Sequence, residues 1–137
     1  MEIDQELQKF LDNAKKDAKK SKHEFLTPEH ILKSLLEHAG ISLMLVKCGC
    51  NVTHIKEQLS EYLSNNLSSL AKGSEPIQTV GFQSVMERAF VHCISSSKKE
   101  ISIYDVLVSL YDQRENHCSY FLRSTGLTRL DLLEAIT

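Results

Sequence analysis

Three groups of side chains in this 137-residue sequence have types and spacings that could do chemistry. Cys48 and Cys50, with His54 four residues further on, offer two soft sulfurs and an imidazole, a partial zinc set. Structural zinc sites close with four ligands and usually leave two residues between paired cysteines. Here the gap is one residue, and no fourth ligand follows. A small zinc- or thiol-dependent enzyme is the catalytic reading of that cluster, yet no nucleophile, base and orienting group assemble at workable spacing. Cys93 and Cys118 sit on apolar stripes, where a thiol behaves as a small hydrophobe. The expectation is no catalytic residue, no cofactor site and no metal site. Glu24 and Glu29 form the second group, beside His23 and His30, and could offer acceptors to a partner's lysine, amide or histidine groups. An unpaired carboxylate is rarely buried, so both glutamates are expected at the surface. The third group is the lysine run Lys15, Lys16, Lys19, Lys20 and Lys22. It reads as an anionic-ligand patch or, more simply, as a solvated helix end.

The elements that must position these groups are helices. Ile3, Leu7, Phe10, Leu11, Ala14 and Ala18 mark one helical face, acidic at its start and basic at its end. Thr27-Pro28-Glu29 opens a second helix with the stripe Ile31, Leu32, Leu35 and Leu36, which Gly40 should end. A short helix around Ser42–Cys48 stops at Gly49. Asn51 or Thr53 then caps a helix carrying Ile55, Leu59, Tyr62 and Leu63. Small polar residues with Gly73 and Pro76 mark a linker over 65–78. Thr79 stands before Phe82, Val85, Met86, Ala89, Phe90 and Cys93. Ser102 with Asp105, and Thr128 with Asp131, approximate capping boxes. The last helix should bury Leu130, Leu133 and Ile136.

The two halves carry the same pattern 75 positions apart. Phe10 and Val85, Ala14 and Ala89, Thr27 and Ser102, Ser34 and Ser109, Leu35 and Leu110, Val46 and Phe121, and Ile55 and Leu130 pair without a gap. Core positions and caps are what a duplicated unit must keep. The reading is an all-α single domain over 1–137, eight helices in two pseudo-symmetric four-helix repeats. Repeat one takes 1–64, the linker 65–78 and repeat two 79–137.

These residues also resemble a known family. His23-Glu24-Phe25-Leu26-Thr27-Pro28-Glu29-His30-Ile31-Leu32 is similar to a signature of the N-terminal domain of the Clp/Hsp100 AAA+ unfoldases. Phe82-Gln83, Val85, Arg88 and Ala89 resemble the start of its second repeat. Ser119-Tyr120-Phe121-Leu122-Arg123 and Thr128-Arg129-Leu130-Asp131 resemble its closing segment in the ClpA branch. The resemblance covers the chain and implies a double Clp-N fold. It implies an adaptor- and substrate-recognition domain of an unfoldase that feeds the ClpP peptidase. ClpS-type adaptors and protein substrates would be its partners, with ClpP reached through the parent protein. Glu24, Glu29 and Thr79 are carried over as partner-binding positions. Ser84 stands where the family often has an arginine that assists docking. Helix N-termini supply the plainer account of two of the three: Glu29 suits a first turn and Thr79 suits an N-cap.

Composition agrees. Apolar residues make 42% and charged residues 25% of the chain, the balance of a globular domain, and a net charge of −2 offers no phosphate-neutralising footprint for nucleic acid. No apolar run is long enough to span a membrane. The acidic N-terminus is no signal peptide, so a cytoplasmic protein with reduced thiols is expected. No phosphate loop is present, so ATP and magnesium would belong to the parent's AAA+ modules, expected to be hexameric, and this fragment to be monomeric. A free-standing Clp accessory protein of the same fold is the alternative.

Overall fold

The computed structural model describes residues 2–66 and 69–137; positions 67 and 68 of the expected linker lie outside the described residues. Eight helices appear among them: α1 (Gln5–Lys20), α2 (Pro28–Leu35), α3 (Ala39–Lys47), α4 (Val52–Asn66), α5 (Val80–Ser95), α6 (Ile103–Asp112), α7 (His117–Ser124) and α8 (Arg129–Ile136). Four two-residue strands join them: β1 (Glu2–Ile3), β2 (Phe25–Leu26), β3 (Ile77–Gln78) and β4 (Glu100–Ile101). The fold is all-α. α2 and α6 form its centre, since nearly every residue of both is buried.

Side-chain caps start the helices. Asp4 accepts from Leu7 N–H at 2.7 Å, and Thr79 from Phe82 N–H at 3.1 Å. Ser102 with Asp105, and Thr128 with Asp131, form capping boxes. At α2 a histidine takes the reciprocal part: His30 Nδ1 accepts from Thr27 N–H at 3.0 Å. Gly40 ends no helix. It lies inside α3, because His38 caps that helix by accepting from Ile41 N–H at 3.1 Å.

The two halves are related by a pseudo-twofold that their hydrogen bonds repeat. Ser34 Oγ donates to Phe10 O at 2.6 Å, and Ser109 Oγ donates to Val85 O at 2.7 Å. Lys22 and Ser97 both turn left-handed, at φ 59° and 58°, to close α1 and α5. The strands cross between repeats. β1 pairs with β4 and β2 with β3, both parallel, so each repeat's first strand lies against the strand before the other's second helix.

The constant offset of 75 fails beyond the second helices. α6 has 10 residues where α2 has 8. From there the counterparts stand 77 apart: left-handed Gly49 and Gly126, buried Leu45 and Leu122, caps Asn51 and Thr128, and buried Ile55 and Leu132. The expected pairs Val46 with Phe121 and Ile55 with Leu130 are therefore wrong. Leu130 is 64% exposed, and Leu132 is the buried residue of α8. Ile3 belongs to β1 rather than to the first helix, and α4 runs on to Asn66.

Candidate functional site

The α2 N-terminus meets the α7 N-terminus across the repeats. Pro28 takes the first position of α2, where its missing N–H is no loss, and Glu29 takes the second. Glu29 is only 3% exposed, which corrects the expectation of a surface carboxylate. The reason is its partner: Glu29 Oε2 accepts from His117 N–H, the first residue of α7, at 2.9 Å. Cys118 Sγ donates to the same oxygen at 3.8 Å. One carboxylate thus faces the positive ends of two helices. Burial, and then the charge of Glu29, push the Cys118 thiol far up. Burial and Glu29 also raise the Tyr62 phenol. The Tyr62 ring lies against the His117 ring, with centroids 4.2 Å apart.

This junction lines a cavity of about 220 Å³ that also takes in Thr27, Thr79, Gly81, Gln113, Glu115 and Asn116. Two of the three sequence-chosen positions, Glu29 and Thr79, therefore share one site. Thr79 is half-buried; its hydroxyl caps α5 and donates to Leu26 O at 3.4 Å. Glu24 does not line the cavity. It sits half-buried before β2, its backbone carbonyl accepts from Ile77 N–H at 2.9 Å, and its carboxylate has no ion-pair partner among the described residues. Ser84 is half-buried on α5, and its carbonyl accepts from Gln113 Nε2 at 3.0 Å. Tyr62, Asn116 and His117 had no signal in the sequence that joined them to Glu29, because they arrive from helices distant in the chain.

A second concavity, about 490 Å³, lies between α1 and α5 and is lined by Ile3, Leu11, Leu26, Phe82 and Met86 with Gln8, Asp12 and Lys15 at its edges. Gln78 and Gln83 also line it, so apolar and polar side chains share the concavity, the mixture that an extended peptide's side chains and backbone would meet.

The cysteines do not assemble with histidine. Cys48 Sγ points to Asp131 O at 4.0 Å, Cys50 Sγ lies 3.3 Å from Thr125 Oγ1, and His54 joins its own helix start through Asn51. Among the described residues, no three His, Cys, Asp or Glu side chains converge on a common point. Burial raises the Cys48 thiol and lifts Cys93 to about 11, so neither is poised as a thiolate. No helix among the described residues is long and apolar enough to cross a membrane.

Residues 2–125 match the family model described as the Clp repeat (R) N-terminal domain. The chain belongs to the Clp N-terminal domain family. It is 32% identical over 118 residues to a ClpA homolog protein of Fuscovulum blasticum, covering 84% of this chain. It is 28% identical over 120 residues to the chaperone protein ClpB 1 of Thermosynechococcus vestitus, covering 87% of this chain. The chain spans only 15% and 14% of the lengths of these two relatives. The N-terminal domain of Hsp104 from Candida albicans superposes with a TM-score of 0.83 at 14% identity, over 99% of this chain and 90% of that one. The N-terminal domain of the ClpV1 ATPase from the E. coli Sci1 type VI secretion system superposes at 0.81 and 18% identity, over 96% and 82%. This Clp N-terminal domain therefore has the double Clp-N fold that its two halves spell out.

Proposed function

We propose that this Clp N-terminal domain is the adaptor- and substrate-receiving module of a ClpA-like ATP-dependent unfoldase. Its parent would carry ATP and magnesium in its own AAA+ modules and pass unfolded chains to ClpP. The observation that carries the reading is the convergence of Glu29 and Thr79 on one cavity at the seam of the repeats, with acidic Glu115 beside them. Glu29 ties the seam together through His117 N–H, and a surface already ordered before docking loses less entropy when a partner binds. Glu24 adds an accessible carboxylate for a cationic or amide group of the partner. The groove between α1 and α5 gives direct substrate capture a separate place. The ClpA homolog protein supports the branch.

The test is a calorimetric titration of the domain with a ClpS-type adaptor. Wild type should bind at micromolar or tighter affinity, and Glu24→Lys should bind at least about tenfold more weakly while keeping its helical circular dichroism. Glu29→Gln keeps an acceptor for His117 N–H and should fold. Absence of wild-type binding would remove the adaptor role.

A further inference from the structure

A second polar site lies at the end of the lysine run, away from the seam. It begins with a chain of hydrogen bonds that fixes two histidine tautomers. Thr27 N–H donates to His30 Nδ1, so the ring proton of His30 sits on Nε2. His30 Nε2 is 2.9 Å from His23 Nδ1, so His30 donates and His23 accepts. His23 must then carry its own proton on Nε2, as an outward donor. His23 lines an open pocket of about 470 Å³ with Lys22, Lys33, Ser60, Ser64 and Ser69. Ser69 is held there by an antiparallel bridge to His23, and Leu70 N–H donates to Lys22 O at 2.7 Å. Lys33 pairs with Asp17 at 3.0 Å and lines both this pocket and the neighbouring cavity, where Asp17, Asn13 and Glu37 stand. None of the described residues lining the pocket itself is acidic.

We propose that this pocket binds a tetrahedral oxyanion of the phosphate class, with Lys22 and Lys33 supplying charge and His23 Nε2–H and the Ser60 and Ser69 hydroxyls supplying directed donors, while Ser64 donates to Ser60 O. Lysine ammoniums and serine hydroxyls are the groups that replace the water around a phosphate. Burial holds His23 below the usual histidine range; Asp17 raises it, and Lys33 lowers it. At neutral pH the ring therefore offers one hydrogen and no charge, and a seated anion would draw its titration upward. Around that ring stand Asp17 from α1, His30 and Lys33 from α2, and Lys22 beside it. The proposal is independent of the adaptor reading, since the seam and this pocket share no residue.

The experiment is an NMR titration of the domain with inorganic phosphate at constant ionic strength, with sodium chloride as the control. A parallel arm uses a short phosphoserine peptide and its unphosphorylated twin. The expected result is saturable shifts at Lys22, His23 and Ser69, a rise in the His23 titration, and at least about tenfold weaker binding in Lys22→Gln/Lys33→Gln. Phosphopeptide tighter than phosphate assigns the anion to a phosphorylated side chain, and equal affinity assigns it to the free ion. Shifts that chloride reproduces, or that the double variant keeps, would overturn the proposal. Should the double variant lose helicity, Lys22→Gln alone decides, because that side chain lies at the surface.

Discussion

At the scale of single residues, Glu29 and His30 share one helical turn, and both are buried for reasons that can be measured. Glu29 is held by the helix ends it faces, so its substitutions should follow a set order. Glu29→Gln retains an acceptor and loses the charge, costing about 1 kcal/mol. Glu29→Ala leaves His117 N–H without that acceptor, costing about 2 kcal/mol. Glu29→Lys puts a cation against two positive helix ends, costing roughly 3–5 kcal/mol. Glu24→Lys, at a carboxylate with no ion-pair partner among the described residues, should stay within about 0.5 kcal/mol of wild type. Urea unfolding of the four variants reads the order, and a tolerated Glu29→Lys would refute the buried brace. His30 gives a pH dependence. Burial, then the neighbouring His23, lower its pKa to about 4, while Asp17 raises it and Lys33 lowers it. The folded value lies below the unfolded 6.5, so the unfolded chain binds the proton more readily between the two. Stability from this residue is complete above pH 6.5 and is lost as pH falls towards 4. Unfolding at pH 7.5 and at pH 5 should differ by about 2 kcal/mol, and His30→Asn should flatten that difference. A variant with the wild-type slope would assign the pH dependence elsewhere.

At the scale of elements, α2, α4, α5, α6 and α8 were legible because each announces itself twice, by an apolar stripe and by a cap, whereas the caps Asp4, His38 and Asn116 of α1, α3 and α7 went unread. Thr79, Ser102 with Asp105, and Thr128 with Asp131 were readable as caps, and the structure uses all of them. Three features were not readable. Strands of two residues are too short to show alternation, so β1 to β4 left no pattern. The two extra residues of α6, Tyr111 and Asp112, continue the helix with no glycine, proline or cap before them, so nothing marked where the offset moved from 75 to 77. Burial of Glu29 runs against the ordinary behaviour of carboxylates, and only the arrival of α7 from the other repeat explains it. The pseudo-symmetric serines test the element contacts directly. Ser34 and Ser109 each tie the second helix of a repeat to a carbonyl of the first. Ser34→Ala and Ser109→Ala should each cost about 1 kcal/mol, and the double variant about 2, because the two hydroxyls share no hydrogen-bond partner. Chemical denaturation would show it; a double variant markedly worse than the sum would mean that the two helix pairs are coupled through the core.

At the scale of the whole molecule, the repeats are alike but not independent. Repeat one needs β4 to hold β1, and repeat two needs β2 to hold β3. α2 packs on α5, α6 and α7 as well as on α1 and α4 of its own repeat. Glu29 carries the same dependence into hydrogen bonding, since its acceptor oxygen serves a helix of the other half. A separated half would expose the inner faces of its second helix together with an unpaired strand edge, and a domain of that size has little core to spare. The connection between them is different in kind. Gly73 is exposed, left-handed at φ 81°, and a side chain there would meet nothing within 4 Å. Expression of residues 1–73 alone, and of 74–137 alone, should therefore give chains with little helical circular dichroism and no cooperative unfolding. Mixed together, the two halves should regain the spectrum of the intact domain and migrate as a one-to-one complex. Cooperative folding of either half alone would show that each four-helix unit carries a sufficient core, and that the strand exchange and the Glu29 brace only dock two finished pieces. Recovery on mixing, without folding apart, would place the stabilising core at the seam, where the proposed partner-binding cavity also lies.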